Sequence, residues 1–231
     1  MFPLYDTIRS RRPAVVTKAL VILNVLVFFY ELHLGDRLQE FFLYYGIVPI
    51  RYSRQELAEY FTFFQQILPF FTSMFLHGGW LHLISNMWML WIFGDNVEDR
   101  LGRWKFLLFY VSFGLAGGIL HLLTDLHSVK PMIGASGAIA GVMGAYFIMF
   151  PHARVMTAVP IFVFITFLEI PVPVFLAFWF LTQFFSGALS LIDQSDAFGG
   201  VAWWAHIGGF AAGMVIGILY RRSKFRLNLL K

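Results

Sequence analysis

In GASGAIAGVMGA, residues 134–145, Ser136 is a lone hydroxyl in an apolar run. A serine hydroxyl attacks a carbonyl only with the help of a base, and histidine is the usual one. The chain offers His206 in VAWWAHIGGFAAGMVIG, and His82 and Asn86 in HGGWLHLISNMWML. The oxyanion of an acyl transfer needs hydrogen-bond donors aimed at it. A histidine N–H, an asparagine NH₂ and the serine's own backbone N–H can supply them. No Asp or Glu lies close to His206 in sequence, so these residue types spell a Ser–His dyad and not a triad.

The elements that must position these groups are apolar. The chain has 231 residues, of which 59% are hydrophobic and 13% charged. A soluble domain carries about 25% charged residues. This is the composition of an integral membrane protein of one compact domain, residues 1–231. With no cysteine there is no disulfide, thiol nucleophile or thiolate metal site. Apolar segments of spanning length fall near 17–34, 76–94, 104–123, 133–150, 158–182 and 200–220. That predicts an all-α bundle of six transmembrane helices, with prolines 160, 171 and 173 interrupting the fifth. The first run has no small-residue cleavage site after it and reads as a retained helix.

Thirteen of the 17 Lys and Arg fall on one side of this arrangement. By the positive-inside rule that side is cytoplasmic. Residues 1–16 and 221–231 are then cytoplasmic tails, and the expected location is the plasma membrane, multi-pass. The net charge of +4 reflects topology, since no basic stripe with stacking aromatics points to nucleic acid. The first outer loop, roughly 35–75, is rich in aromatics and predicts a segment lying in the membrane interface. Segments two, four and six run inward from the outer face. At about 1.5 Å per residue, His82, Asn86, Ser136 and His206 fall roughly 5–12 Å below that face. Three helices thus place polar groups, costly in a membrane, in one shallow layer. His82 and Asn86, four apart, share a helix face. Glu169 and Gln183 are the polar groups of segment five; Glu169 reads as a structural acid.

Plainer readings exist for each motif. Gly137-xxx-Gly141 and Gly209-xxx-Gly213-xxx-Gly217 are close-packing patterns for membrane helices, and GASG alone reads first as packing. Small residues that bring segments four and six together also bring Ser136 to His206, so the two readings are compatible. His77 and His82 are five apart and lack an H-E-x-x-H context, which argues against a metal site. Glu98, Asp99, Arg100 and Arg103 read as a solvated ion network at the end of segment two. A transporter needs polar groups through the full depth of the bundle, whereas here they stop in the outer layer.

With HGGWLHLISN, VEDRLG, GASG and AHIGG in that order, the sequence resembles the rhomboid family of intramembrane serine proteases. The resemblance implies a six-helix bundle with a membrane-embedded first outer loop and a short fourth helix below a water-filled cavity that opens to the outer face. It implies Ser136 as nucleophile and His206 as base. It implies His82, Asn86 and the Ser136 backbone N–H as the oxyanion hole, with Gly134 and Gly137 around the nucleophile. It implies that Gly209 and Gly213 let segment six pack on segment four, and that His77 is the family's additional first-loop histidine. The implied reaction is hydrolysis of single-pass transmembrane protein substrates within the lipid bilayer, through an acyl-enzyme and with no metal or organic cofactor. Two departures stand out. A Trp-Arg pair common in the first loop is replaced by Leu68-Pro69, and a Tyr that stacks on the catalytic histidine in some members is replaced by Ala140. Trp203 or Trp204 is the expected substitute. A silent relative that binds transmembrane helices would need neither Ser136 nor His206.

Overall fold

The computed structural model describes residues 1–162, 164–192 and 201–229. Helix is the dominant element among the described residues. In chain order the elements are β1 (Phe2–Asp6), α1 (Val15–His33), α2 (Leu38–Tyr45), α3 (Ile50–Ser53), α4 (Gln55–Tyr60) and α5 (Phe63–Thr72). Then come α6 (Trp80–Leu101), α7 (Arg103–Thr124), α8 (Ser136–Met149), β2 (Arg154–Ile161), β3 (Phe164–Pro171), α9 (Val172–Ile192) and α10 (Trp203–Leu229).

On length and apolar character α1, α7, α9 and α10 can each cross a membrane. The apolar stretch containing α5 and that containing α6 pass the same test only together, across a 79° bend. At 14 residues, α8 rises about 21 Å, short of a hydrocarbon core about 30 Å thick. It is nevertheless the centre of the fold. Every residue from Gly137 to Tyr146 is buried, and α6, α7 and α10 pack around it. Small residues make this possible. Cβ atoms at Gly209 and Gly213 would collide with the Gly137 and Gly141 carbonyl oxygens, so the α8 and α10 backbones are in direct contact.

Three expectations need correction. The fifth apolar segment is not one long helix. Its first half is the β2–β3 hairpin, paired from Arg154↔Pro171 to Ile161↔Phe164, and only α9 is helical. A continuous apolar run fits a strand as well as a helix, and length and residue type must decide. Here Val155, Thr157, Val159, Ile161 and Ile165 are β-branched and suit the strand. Glu169 therefore lies in a strand and not in a spanning helix. Second, residues 1–16 are not a bare tail, because β1 adds to β2 as the third strand of the sheet. Beyond β1, the Arg11 backbone N–H donates to Asp99, which joins the chain start to the end of α6. At the other terminus, α10 continues through the expected tail to Leu229. Third, Glu98 is not solvated but buried, and it caps α1. Its carboxylate accepts the backbone N–H groups of Val15, Val16 and Thr17 and the Thr17 hydroxyl at 2.8–3.0 Å. In the loop LIDQSDAFGG after the fifth segment, whose sequence leaves open a role as gate or cap, residues 193–200 lie outside the described residues.

Candidate active site

Ser136 is the first residue of α8, where backbone N–H groups have no intrahelical partner. Its approach is fixed from two sides. The Gly134 N–H donates to the Ser73 carbonyl at 2.8 Å, and Met132 exchanges two backbone hydrogen bonds with Ile47. Gly134 has φ +126°, which L side chains rarely adopt. It also lacks the Cβ that would stand 2.6 Å from His82 Nε2 and 3.6 Å from Ser136 Oγ. The glycine thus lets the histidine ring and the serine flank one turn of backbone.

His206 is the fourth residue of α10 and is 8% exposed. Its Nε2 lies 2.8 Å from Ser136 Oγ, 70 residues away in sequence. Its Nδ1 lies 2.7 Å from Gln183 Oε1 of α9. The rings of Trp179 and Trp203 pack against it, with centroids 5.8 and 6.2 Å away. Of the two tryptophans expected as supports, Trp203 makes this contact. Trp179 was missed, because its helix had not been separated from the hairpin.

On α6, His82 Nδ1 accepts the Gly78 N–H at 3.4 Å. Nδ1 is then the acceptor, so Nε2 carries the proton of the neutral ring on the side of Gly134 and Ser136. Asn86, one turn further along the same face, is buried. Its NH₂ nitrogen has no hydrogen-bond partner. A buried unsatisfied donor costs about 1–3 kcal/mol, and such a cost at this place points to a use. A cavity of about 10 Å³ borders Ser136, Gly134, Ser73 and Ala205, close to the room one water needs.

His77 is buried behind this site. Its ring stands edge-on to His82 at 5.0 Å, its backbone N–H donates to the Glu31 carboxylate, and neither ring nitrogen has a partner. The first loop has its own anchor. Arg51 donates to the Tyr44 and Gln65 carbonyls at 3.3 and 2.7 Å, and its guanidinium lies 3.4 Å over the Phe61 ring. Arg51 occupies neither Leu68 nor Pro69, so motif matching could not find it.

Comparison with known proteins adds a family. A family model described as the rhomboid domain matches residues 65–223. Rhomboid protein 1, mitochondrial, of Saccharomyces cerevisiae is 34% identical over 149 residues, 63% of this chain and 39% of the relative. RHOMBOID-like protein 6, mitochondrial, of Arabidopsis thaliana is 32% identical over 148 residues, 64% of this chain and 42% of the relative. Rhomboid protease GluP of Bacillus subtilis is 33% identical over 147 residues, 64% of this chain and 25% of the relative. The matches thus span well under half the length of these relatives. Two of the three are mitochondrial by name, and they overturn the expected plasma-membrane location. The excess of basic residues on one face sets which way a chain threads its membrane but does not identify the membrane.

Proposed function

The chain belongs to the rhomboid family, and on that premise we propose that it is an intramembrane serine protease that cuts single-pass membrane proteins in or near their transmembrane segments. The observation that carries this reading is the 2.8 Å contact of His206 Nε2 with Ser136 Oγ across α8 and α10.

Substrate reaches Ser136 laterally, between α6 and α9, and unwinds there, because a helical peptide bond is shielded from attack. His206 takes the hydroxyl proton as Ser136 Oγ attacks the scissile carbonyl carbon. The negative charge on the carbonyl oxygen is held by the Ser136 backbone N–H, the His82 Nε2–H and the free NH₂ of Asn86. Collapse of the tetrahedral intermediate expels the amine, which takes the proton from His206. An ester on Ser136 remains. Water then gives a proton to His206, attacks the ester, and releases the acid and the free serine. In this reading α8 is the fourth and shortest of six spans, set below the membrane surface so that chemistry occurs inside the bundle. The names of the yeast and plant relatives support a mitochondrial membrane as its place of work.

The test is reconstitution in liposomes with a single-pass substrate carrying small residues near the outer end of its helix. The wild type should cut it once, and Ser136→Ala and His206→Ala should not. Cleavage that persists in Ser136→Ala would sink the assignment.

A further inference from the structure

The direction of every hydrogen bond around Gln183 is fixed by its partners. The Trp179 carbonyl can only accept, so the group of Gln183 that lies 3.3 Å from it is the NH₂ nitrogen, Nε2. Thr182 donates its hydroxyl to the same carbonyl at 2.6 Å and so presents a lone pair to Gln183 Nε2 at 3.0 Å. With Nε2 committed to α9, the amide oxygen Oε1 faces His206 Nδ1 at 2.7 Å. An amide oxygen accepts only, so Nδ1 holds the proton. A neutral imidazole has one N–H, so Nε2 carries the lone pair, 2.8 Å from Ser136 Oγ.

The flipped amide fails on both sides. It would set Oε1 against the Trp179 carbonyl, acceptor to acceptor. It would also put the NH₂ on Nδ1, drive the ring proton to Nε2, and leave Ser136 receiving a hydrogen bond where it must give one.

We propose that Gln183 is the positioning residue of the Ser136–His206 pair: its side-chain oxygen fixes the Nδ1–H form of His206 and so keeps the Nε2 lone pair on the serine hydroxyl. Catalytic triads give this task to a carboxylate. In a membrane-spanning helix a carboxylate would bring a buried charge, which is expensive there, whereas an amide orients the ring without one. The arrangement is a neutral third member, supplied by α9 to a pair formed by α8 and α10. Because α9 carries it, the ring's proton placement depends on α9 lying against α10. The proposal rests on the reading of His206 as the base.

The experiment has two readouts on the purified full-length chain. The first is turnover of the single-pass substrate by Gln183→Ala and by the volume-matched Gln183→Met, with unfolding temperatures measured alongside. The second is ¹⁵N NMR of the histidine rings in the absence of substrate. His206 is assigned among the seven histidines by its loss in His206→Ala. We expect kcat to fall about 10–100-fold, as when a partner that orients a functional histidine is removed, with KM unchanged. We expect wild-type His206 to be protonated at Nδ1 and the variants to populate both forms. A wild-type ring protonated at Nε2, or variants with unchanged kcat and unchanged proton placement, would overturn the proposal. A wild type that cuts nothing, but whose ring still shifts with Gln183, would sink the protease reading and leave the positioning role standing.

Discussion

The close approach of α10 to α8 is the geometry on which the pair at the site depends, and Gly209→Ala tests it. The added Cβ would fall against the Gly137 carbonyl oxygen, far inside the 3.0 Å that real Cβ atoms essentially never breach. The obstacle is backbone, one residue from Ser136, and no side chain can turn aside to make room. Restoring ordinary contact at 3.4 Å parts the two helices by about 1 Å or more, and a misplacement of that size costs about 10²-fold in rate. The Ser136–His206 contact would stretch from 2.8 Å to roughly 3.8 Å, beyond the ~3.2 Å reach of a general base. Overpacking of this kind also costs about 1–3 kcal/mol of stability. The assay is the rate of labelling by a serine-directed fluorophosphonate in detergent, with thermal unfolding in parallel. Gly79→Ala serves as the control, since nothing lies within 4 Å of the Cβ it would add. A Gly209→Ala protein that labels at the wild-type rate would refute the reasoning.

Other outcomes follow from the same contacts. Asn86→Ala should lower turnover by roughly 10²–10³-fold, the cost of one oxyanion donor. Its unfolding temperature should not fall, because the NH₂ nitrogen it removes bonds to nothing. Glu98→Ala strands four donors at the start of α1, the two of Thr17 fully buried, and should cost about 2–6 kcal/mol in chemical unfolding, since each buried unmet donor costs about 1–3; an unchanged midpoint would contradict the cap. Asp6 in β1 accepts from Tyr146 and Asn96, and burial pushes its carboxyl up from 3.8 to about 6. The folded chain then holds a proton that the unfolded chain has released. The stabilisation from Asp6 is therefore complete below about pH 4 and is lost as pH rises through about 6. Asp6→Asn should flatten thermal stability across that window, and a slope identical to wild type would remove Asp6 as its source.

The candidate site was more legible in the sequence than the scaffold. Ser136, His206, His82 and Asn86 announce themselves because polar side chains are costly in apolar helices, and their common depth follows from counting residues. The glycines at 137, 141, 209 and 213 carry the packing of α8 on α10 in their spacing alone. The β2–β3 hairpin was hidden because hydropathy does not separate a buried strand from a helix, and its signal lay in β-branched content. Gln183 was visible as a polar residue, but an amide 23 residues from its histidine has no diagnostic spacing. Glu98 was misread, and Arg51 was not singled out, for one reason. A charged residue near a helix end looks solvated until the fold brings backbone carbonyls or N–H groups to it.

The central claim is that Ser136 is an activated nucleophile, and covalent labelling tests it most directly. The purified protein is treated with a fluorophosphonate, digested, and the modified peptide located by mass spectrometry. The account predicts a single adduct on Ser136, abolished in Ser136→Ala and in His206→Ala. An adduct on another residue, or a folded wild type that takes no label, would contradict it.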